Sequence, residues 1–309
     1  MDFRQLRTLV QVAETGSLTR AAERLNTVQP TLSRQMRLLE EELGVPLFKR
    51  LGYGMKPTEA GERLLSHARI ILRDLESART EILSMQGAIT GNIVCGMIPS
   101  LGDRALVPFV RSFAEDNPLV SLRVITGYAG FVVEWLAHRQ LDTALIYDLH
   151  DLSNYDVTPL AEEPLFVVGP PDAGFDVAKP VALATLATMP LILPSPQHGL
   201  RKLVDKAALR HGLRLNVRVE ADSLQAQLEL ARVGFGWTIL PPSAIAAELG
   251  QRQVSAAPLC EPEILRRIVL VLPIDRRQSH SVRVFAESMA EHVAAMIGTG
   301  QWPGSRAIA

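Results

Sequence analysis

The N-terminal fold is decided by residues 15–43, which read TGSLTRAAERLNTVQPTLSRQMRLLEEEL. Gly16 ends a preceding helical periodicity, and Ser17 is typical of a helix N-cap. A second helix therefore begins at Leu18, and Pro30 stands where the first turn of a third helix tolerates proline. Two short helices joined by a tight turn, after a first apolar helix, predict a helix-turn-helix unit.

The polar face of the third predicted helix carries hydrogen-bond donors suited to nucleic acid. A polar and basic helix face is by itself more often simply exposed to solvent than bound to DNA. Here the helix-turn-helix context favours DNA binding instead. Basic residues continue into a predicted hairpin, or wing, around Gly52 and Gly54. The candidate DNA contacts are Gln29, Pro30, Thr31, Ser33, Arg34, Arg37, Arg50 and Lys56.

The charge of the chain is divided unevenly. Residues 1–58 hold nine Lys or Arg against six Asp or Glu, a balance of +3, whereas the rest carries −4 and the whole chain −1. This asymmetry supports a basic module joined to a domain with another task.

The bulk composition predicts a soluble, cytoplasmic protein of two or three domains. The start, Met1-Asp2-Phe3-Arg4, contains an acid and no apolar run, so a signal peptide is not expected. No apolar stretch is long enough to span a bilayer. Cys95 and Cys260 are far apart, which indicates a reducing compartment.

A long helical run follows the wing, and Thr58 is predicted to cap it. Its apolar residues recur at three- and four-residue steps, which indicates a seam for a partner helix. These residues are Leu64, Ala68, Ile71, Leu75, Ala78, Ile82 and Met85.

From Asn92 onward, strand and helix patterns alternate. Strands are predicted at 93–98, 120–124, 143–147, 164–168, 191–193, 217–220, 238–240 and 268–272, and helices at 103–115, 131–139, 200–211 and 223–233. Repeated βα units predict mostly parallel sheets with right-handed crossovers. The span is long for one sheet, so two α/β lobes with a cleft between them are expected.

The N-terminal residues resemble the LysR-type transcriptional regulator family. The matching segments are FRQL at 3–6, TGSLTRAA at 15–22, QPTLSRQ at 29–35, LLEEELG at 38–44, LFKR at 47–50 and PTEAG at 57–61. The resemblance is specific over residues 1–65 and looser over the rest, where the chain is similar to regulators of the nitrogen-assimilation-control type. It departs from the family at Tyr53, where relatives usually carry a basic residue.

The resemblance implies a winged helix-turn-helix N-terminal domain of all-α type, a linker helix and a two-lobed α/β effector domain like a periplasmic binding protein. The expected boundaries are 1–58, 59–90 and 91–309, with lobe I at about 91–162 and 268–297 and lobe II at about 163–267. It further implies a homodimer or homotetramer on a partly palindromic double-stranded DNA operator. A small-molecule effector would bind between the lobes, and RNA polymerase is a further candidate partner.

Effector contacts are expected where strands end and helices begin, since free N–H groups and the helix dipole favour anions. The candidate effector contacts are Ser100, Tyr128, Tyr147, Ser195, His198 and Arg201. The resemblance implies the first four of these, because family members bind effectors at similar positions. The two serines could equally be helix N-caps, and His198 a surface residue. Arg201 favours an anionic metabolite such as an organic acid, whereas Tyr128, Tyr147 and Phe235 would suit an aromatic ring.

Enzyme and metal motifs are absent from the sequence: it contains no nucleophile elbow, P-loop, dinucleotide fingerprint or metal-ligand spacing. Neither a catalytic role nor a cofactor is therefore expected, and a cytoplasmic α/β enzyme is the weaker alternative. A binding protein whose N-terminal domain only mediates assembly is a second one. Cys95 is expected to be a buried small hydrophobe, with a redox thiol as the alternative. The effector, the operator, the sign of regulation and the choice between dimer and tetramer stay open.

Overall fold

A computed structural model describes residues 1–52, 54–84, 89–101, 107–148, 152–275, 277–302 and 304–308. The chain divides into two compact units, one made chiefly of Met1–Gly91 and the other of most of the residues that follow. Within these ranges, no helix combines the length and the apolar character needed to cross a membrane.

The first unit has the predicted helices and wing. Its elements are α1 Phe3–Thr15, α2 Leu18–Arg24, α3 Gln29–Leu43, β1 Phe48–Leu51, β2 Gly54–Pro57 and α4 Glu59–Ser84. Gly16 ends α1 in the left-handed conformation, with φ of 63°, and Ser17 caps α2 through the N–H of Arg20. Thr58 accepts a hydrogen bond from the N–H of Gly61, so its predicted capping of α4 is confirmed.

Polar contacts fix α3 and the wing within this unit. The buried hydroxyl of Thr8 on α1 donates to Oε1 of Gln35 on α3 at 2.6 Å. At the end of α3, Oε1 of Glu40 accepts the N–H of Leu47 at 2.7 Å, which anchors the start of the wing. Because these bonds add to a shared apolar core, they hold the outer face of α3 in one orientation.

The seam predicted along α4 needs a correction. Ala68 is fully buried in the core of the first unit, and Leu64 and Ile71 pack against that core, so this end is not free for a partner helix. Leu75 and Ile82 are exposed, at 42% and 67%. The first part of the seam is buried because α4 packs against α1 there, and only the later part is exposed. Met85 lies outside the described residues.

The second unit contains two six-stranded sheets, which we call lobe I and lobe II. Lobe I has the strand order β14-β6-β13-β5-β3-β4, and lobe II the order β10-β9-β11-β7-β12-β8. The strands are β3 Gly91–Met97, β4 Val120–Thr126, β5 Thr143–Tyr147, β6 Tyr155–Pro164, β7 Phe166–Gly169, β8 Val181–Ala182, β9 Leu191–Leu193, β10 Val217–Glu220, β11 Trp237–Leu240, β12 Ser255–Cys260, β13 Leu265–Pro273 and β14 Arg306–Ala307.

Helices connect these strands. They are α5 Val107–Asp116, α6 Ala129–Ala137, α7 Leu183–Leu186, α8 Gly199–Arg210, α9 Leu224–Arg232, α10 Pro242–Gly250 and α11 His280–Gly298, with short 3-10 turns at Pro99–Leu101 and Pro171–Ala173. The predicted helix 103–115 is described only from Val107, because residues 102–106 lie outside the described ranges. The prediction of two α/β lobes is confirmed.

The sheets are mixed, so the prediction of mostly parallel sheets is wrong. The chain passes from lobe I to lobe II between β6 and β7, and it returns between β12 and β13. β13 runs antiparallel to both β5 and β6, and β7 runs antiparallel to β11 and β12. The prediction failed because no helix separates β6 from β7 or β12 from β13, and because the prolines of β6 and β12 lower the strand signal that would have indicated these connections.

Gly61 on α4 provides a test of how closely the wing must pack. A methyl group added there would lie 2.1 Å from the carbonyl oxygen of Leu47, whereas one added at Gly52 would meet nothing within 4 Å. We expect Gly61→Ala to lower the stability of the first unit by about 1–3 kcal/mol, the usual cost of overpacking. Urea unfolding at fixed protein concentration measures the change, with Gly52→Ala as the matched control. Equal stabilities of the two variants would contradict this packing.

Candidate functional site

The outer face of α3 and the wing carry the eight predicted DNA contacts. Seven of them are exposed and the eighth is half-buried; in chain order the exposed ones are Gln29, Pro30, Thr31, Arg34, Arg37, Arg50 and Lys56, and the half-buried one is Ser33. Nε of Arg37 lies 3.6 Å from Oε1 of Glu41, one turn further along α3. Leu32, Met36 and Leu39 are buried on the opposite face of α3. The helix therefore presents polar and cationic groups outward from a fixed apolar base.

The wing concentrates positive charge on one of its faces. Lys49 of β1 pairs directly with Lys56 of β2, and both are exposed. Like charges opposite each other on a hairpin destabilise it unless an anion lies between them. Arg50 pairs with Met55, one step along the strand, and so belongs to the other face. Lys49 is thus a candidate that was not among the predicted DNA contacts, and Tyr53 at the wing tip lies outside the described residues.

A separate pocket opens in the second unit between lobes I and II. It lies where strands β3, β4, β5, β9, β10 and β11 end and the following segments begin, the edge at which α/β sheets bind ligands. The space measures about 450 Å³, including the part open to solvent. Its lining is mostly apolar, and the polar side chains in it are those of Ser100, Tyr128, Tyr147, His198, Asp222, Gln227 and Arg266.

Tyr147, at the end of β5, carries a hydroxyl that is buried and without a hydrogen-bond partner among the described residues. It lies beside the first backbone N–H groups of α8, at Gly199 and Leu200, without meeting hydrogen-bond geometry. A methyl group added at Gly199 would come within 2.5 Å of this oxygen, so glycine permits the approach. Burial raises the pKa of Tyr147, which keeps the hydroxyl protonated and able to donate.

Polar groups from both lobes meet at Tyr128. Its hydroxyl donates to the backbone oxygen of Asp222 in lobe II, and its ring meets His198 edge to face at 4.7 Å. The N–H of Ser195 donates to Oδ1 of Asp222 at 2.9 Å, and this bond lowers the pKa of that carboxyl. Nδ1 of His198 accepts the N–H of Leu200 at 3.2 Å and thereby caps α8.

Arg266 contributes positive charge to the pocket, and it is not among the residues predicted from the sequence. Its guanidinium forms an ion pair with Glu163 of β6 at 2.5 Å, and both side chains are almost completely buried. Nη1 donates to Oγ of Ser100 at 2.8 Å, and Nη2 donates to Oγ of Ser243 at 3.3 Å. Ser100 belongs to lobe I and Ser243 lies in the first turn of α10 in lobe II, so one side chain bonds both lobes.

Two of the predicted effector residues do not line this pocket. Ser195 is bonded to Asp222 and does not belong to the lining, and the N-cap of α8 is His198 and not Ser195. Arg201 donates to Asp205 at 2.8 Å and to the carbonyl oxygen of Pro194 at 3.0 Å, so its donors are used within lobe II. Phe235, suggested for an aromatic ligand, lies away from the pocket under the guanidinium of Arg218.

The cysteines and possible metal ligands do not form a site in the described ranges. Cys95 is buried in β3, and burial raises the pKa of its thiol to about 12. A thiol so hard to ionise is a poor redox sensor, so the interpretation as a buried small hydrophobe is favoured. Nowhere in these ranges do three His, Cys, Asp or Glu side chains come together as a ligand set for a metal ion.

Comparison with protein-family models gives two matches that together cover most of the chain. Residues 3–62 match the bacterial regulatory helix-turn-helix protein of the lysR family. Residues 86–294 match the LysR substrate binding domain. The first match contains α1–α3 and the wing, and the second contains the strands and helices that surround the pocket.

Individual proteins agree with these matches over nearly the full length. The chain is 31% identical over 298 residues to a probable nitrogen assimilation transcriptional activator of Synechococcus elongatus, covering 96% of each chain. It is 29% identical to the nitrogen assimilation regulatory protein nac of Escherichia coli, covering 96% of this chain and 97% of that protein.

Solved structures show the same fold. A full-length OxyR variant from Pseudomonas aeruginosa is 24% identical, with a TM-score of 0.71 and coverage of 95% of this chain and 94% of that one. Full-length CbnR in complex with its target DNA is 22% identical, also with a TM-score of 0.71, and coverage is 96% and 99%.

His198 predicts a pH dependence of stability. Burial lowers its pKa in the folded protein below the ordinary value of 6.5. At a pH between 6.5 and the pKa of the folded state, unfolding is therefore accompanied by the uptake of a proton. The stabilisation is complete above about pH 6.5 and is lost as the pH falls toward the folded pKa. Protonation of Nδ1 also removes the acceptor for the N–H of Leu200.

We therefore expect the melting temperature to fall less between pH 7.5 and 5.5 in His198→Asn, which keeps a side chain able to cap a helix. His211→Asn, at the exposed other end of α8, is the matched control and should follow the unmodified protein. If the melting temperature of His198→Asn fell as much between pH 7.5 and 5.5 as that of the control, His198 would not be the source of the pH dependence.

Proposed function

Because the chain belongs to the LysR family of bacterial transcription regulators, we propose that a small organic acid, bound between lobes I and II, controls its binding to DNA. The family establishes a DNA-binding transcription regulator with an effector-binding domain, and not an enzyme. The chemical class of the effector and the residues that bind it and the DNA are the parts that we propose. The observation that carries the proposal is the buried hydroxyl of Tyr147, which has no hydrogen-bond partner within the described ranges.

A carboxylate fits the group of donors around Tyr147. The hydroxyl would donate to it, and the dipole at the start of α8 favours a negative charge. Arg266 adds positive charge nearby, although Glu163 already balances most of it. The acid would therefore be held mainly by neutral donors, with Ile98, Leu224 and Leu240 packing on its apolar body.

The charge on Asp222 restricts the acid further. This carboxyl lines the same pocket, and its lowered pKa keeps it ionised at neutral pH. A second carboxylate beside it would be repelled, whereas a hydroxyl or an amino group would find an acceptor. A monocarboxylic acid therefore fits the pocket better than a diacid.

The DNA contacts are proposed for α3 and the wing. Arg34 has no ion-pair partner among the described residues, and its exposed guanidinium is suited to a base edge or a phosphate. Lys49 and Lys56 form a pair of cations that a phosphate between them would relieve. The exposed half of α4, with Leu75 and Ile82, supports a homodimer or homotetramer on a partly palindromic operator. A contact with RNA polymerase stays a prediction.

Arg34→Ala tests the assignment of α3. We expect it to weaken binding to a fragment of the promoter beside the protein's own gene by about 1–3 kcal/mol, the value of one good base contact. Fluorescence anisotropy at two salt concentrations measures the affinity, which should also fall as salt releases counterions. Arg111→Ala, an exposed arginine of α5 paired with Glu115, is the matched control. Unchanged affinity in a folded Arg34→Ala protein would remove this residue from the interface.

Tyr147→Phe tests the acid site in a thermal-shift series that runs from acetate through benzoate and glutamate to succinate. We expect a monocarboxylate to raise the melting temperature of the unmodified protein, because it binds only the native state. Loss of a hydrogen bond to a charged group costs about 1.5–3 kcal/mol, so Tyr147→Phe should need roughly 10- to 100-fold more acid for the same shift.

Gly199→Ala should abolish the shift by displacing Tyr147, whereas Gly130→Ala, where an added methyl meets nothing within 4 Å, should keep it. A full shift in Tyr147→Phe, or no shift by any acid in the unmodified protein, would contradict the proposal.

A further inference from the structure

The C-terminal segment after α11 lies against the place where the chain crosses between the lobes. Arg306 and Ala307 form β14, which pairs with β6 at Glu162 and Ala161. Arg306 also forms an ion pair with Glu263, in the return crossing, at 2.9 Å. The segment is therefore attached to the end of β6, close to the first crossing, and to the return crossing itself.

Gly304 brings the same segment close to lobe II. A methyl group added at this residue would lie 3.0 Å from Cγ of Pro242, at the start of α10, and 3.8 Å from Cγ of Pro164, at the end of β6. Its φ of +71° is one that glycine adopts without strain. The chain can turn here because no side chain fills this gap.

Trp302 connects this segment to the ion pair of the pocket. Its ring is buried, with 4% of the residue exposed, and its indole N–H donates to Oε1 of Glu163. The other oxygen of Glu163 accepts from Nε of Arg266 at 2.6 Å. Glu163 thus has one oxygen for the C-terminal segment and the other for the arginine that lines the pocket.

From this geometry we propose that Trp302 and Glu163 are positioning residues for Arg266, and that the C-terminal segment thereby takes part in the effector response. Without the indole donor, Glu163 keeps its bonds to Arg266 through one oxygen but loses the bond that fixes the other, so the guanidinium is held less firmly in the direction that its bonds to Ser100 and Ser243 need. The two lobes would then be tied less firmly at the pocket. The inference rests on the proposed function of the pocket, but its test uses no effector.

The test is hydrogen–deuterium exchange of the full chain, read by mass spectrometry, in Trp302→Phe. We expect exchange to rise about tenfold in the segments 98–101 and 241–245, which contain Ser100 and Ser243, as well as near residue 302 itself. Trp237→Phe is the matched control, because the buried indole N–H of Trp237 has no hydrogen-bond partner among the described residues, so its loss breaks no bond. A rise confined to 296–308 and β6 would reduce Trp302 to local packing and overturn the proposal.

A second background tests whether the effect passes through Arg266. Arg266→Lys keeps a cation beside Glu163 but lacks the fork that reaches two hydroxyls. In this background, Trp302→Phe should add no further exchange at 98–101 and 241–245, because residues of one network are not additive. A full additional rise would show that the effect bypasses Arg266 and would contradict the proposal.

The same connection can be tested from its other end. Ser243→Ala removes one hydroxyl from Arg266 without touching the C-terminal segment, and it applies where Trp302→Phe folds poorly. Exchange at 301–307 should then rise, since coupling between two places is reciprocal. No change at 301–307 would contradict the proposal. Absence of any acid binding in the thermal-shift series would count against the proposed function alone, because none of these measurements depends on it.

Discussion

The second unit depends on the buried ion pair between Arg266 and Glu163, which lies where the chain crosses between its two lobes. Two charges removed from water are costly, and loss of one partner typically costs about 3–5 kcal/mol because the other is left alone. This pair is satisfied on every side, by Trp302 on the carboxylate and by Ser100 and Ser243 on the guanidinium. Such a network specifies one arrangement of the crossing strands, and it puts a fixed cation at the pocket.

The first unit could be predicted from the sequence because its signals are local. Gly16, Ser17 and Pro30 mark helix ends by their own backbone preferences, and apolar residues recur at helical spacing between them. The strand β6 could not be predicted in this way, since Pro159 and Pro164 interrupt it and its long partner β13 lies about a hundred residues further on. The sheets are mixed because strands far apart in the sequence pair with each other, and a local sequence pattern does not indicate such pairs.

The pocket shows the same division between local and distant information. Tyr128, Tyr147 and His198 stand directly after strands or before helices, so their positions could be predicted from the element pattern. The position of Arg266 could not be predicted in this way. Its side chain alternates with that of Arg267 and lies on the same buried face of β13 as Ile268, which is an unusual place for a charge. That mismatch, with Glu163 in a similar position on β6, was the signal available. Arg201 was misleading: Asp205, four residues later on the same helix, was a partner that the sequence could indicate, whereas Glu220 is known only from the fold.

The two crossings between the lobes make lobe II an insertion within lobe I, with consequences for how the chain is synthesised. All strands of lobe II end by Cys260, before β13 and α11 leave the ribosome. Domains generally fold in the order in which they are made, so lobe II can fold while β5 still lacks its neighbour β13. Lobe I must wait for partners distant in the chain, and pairing over such separations is slow. The buried strand β5 therefore keeps one edge without its partner until β13 has been made.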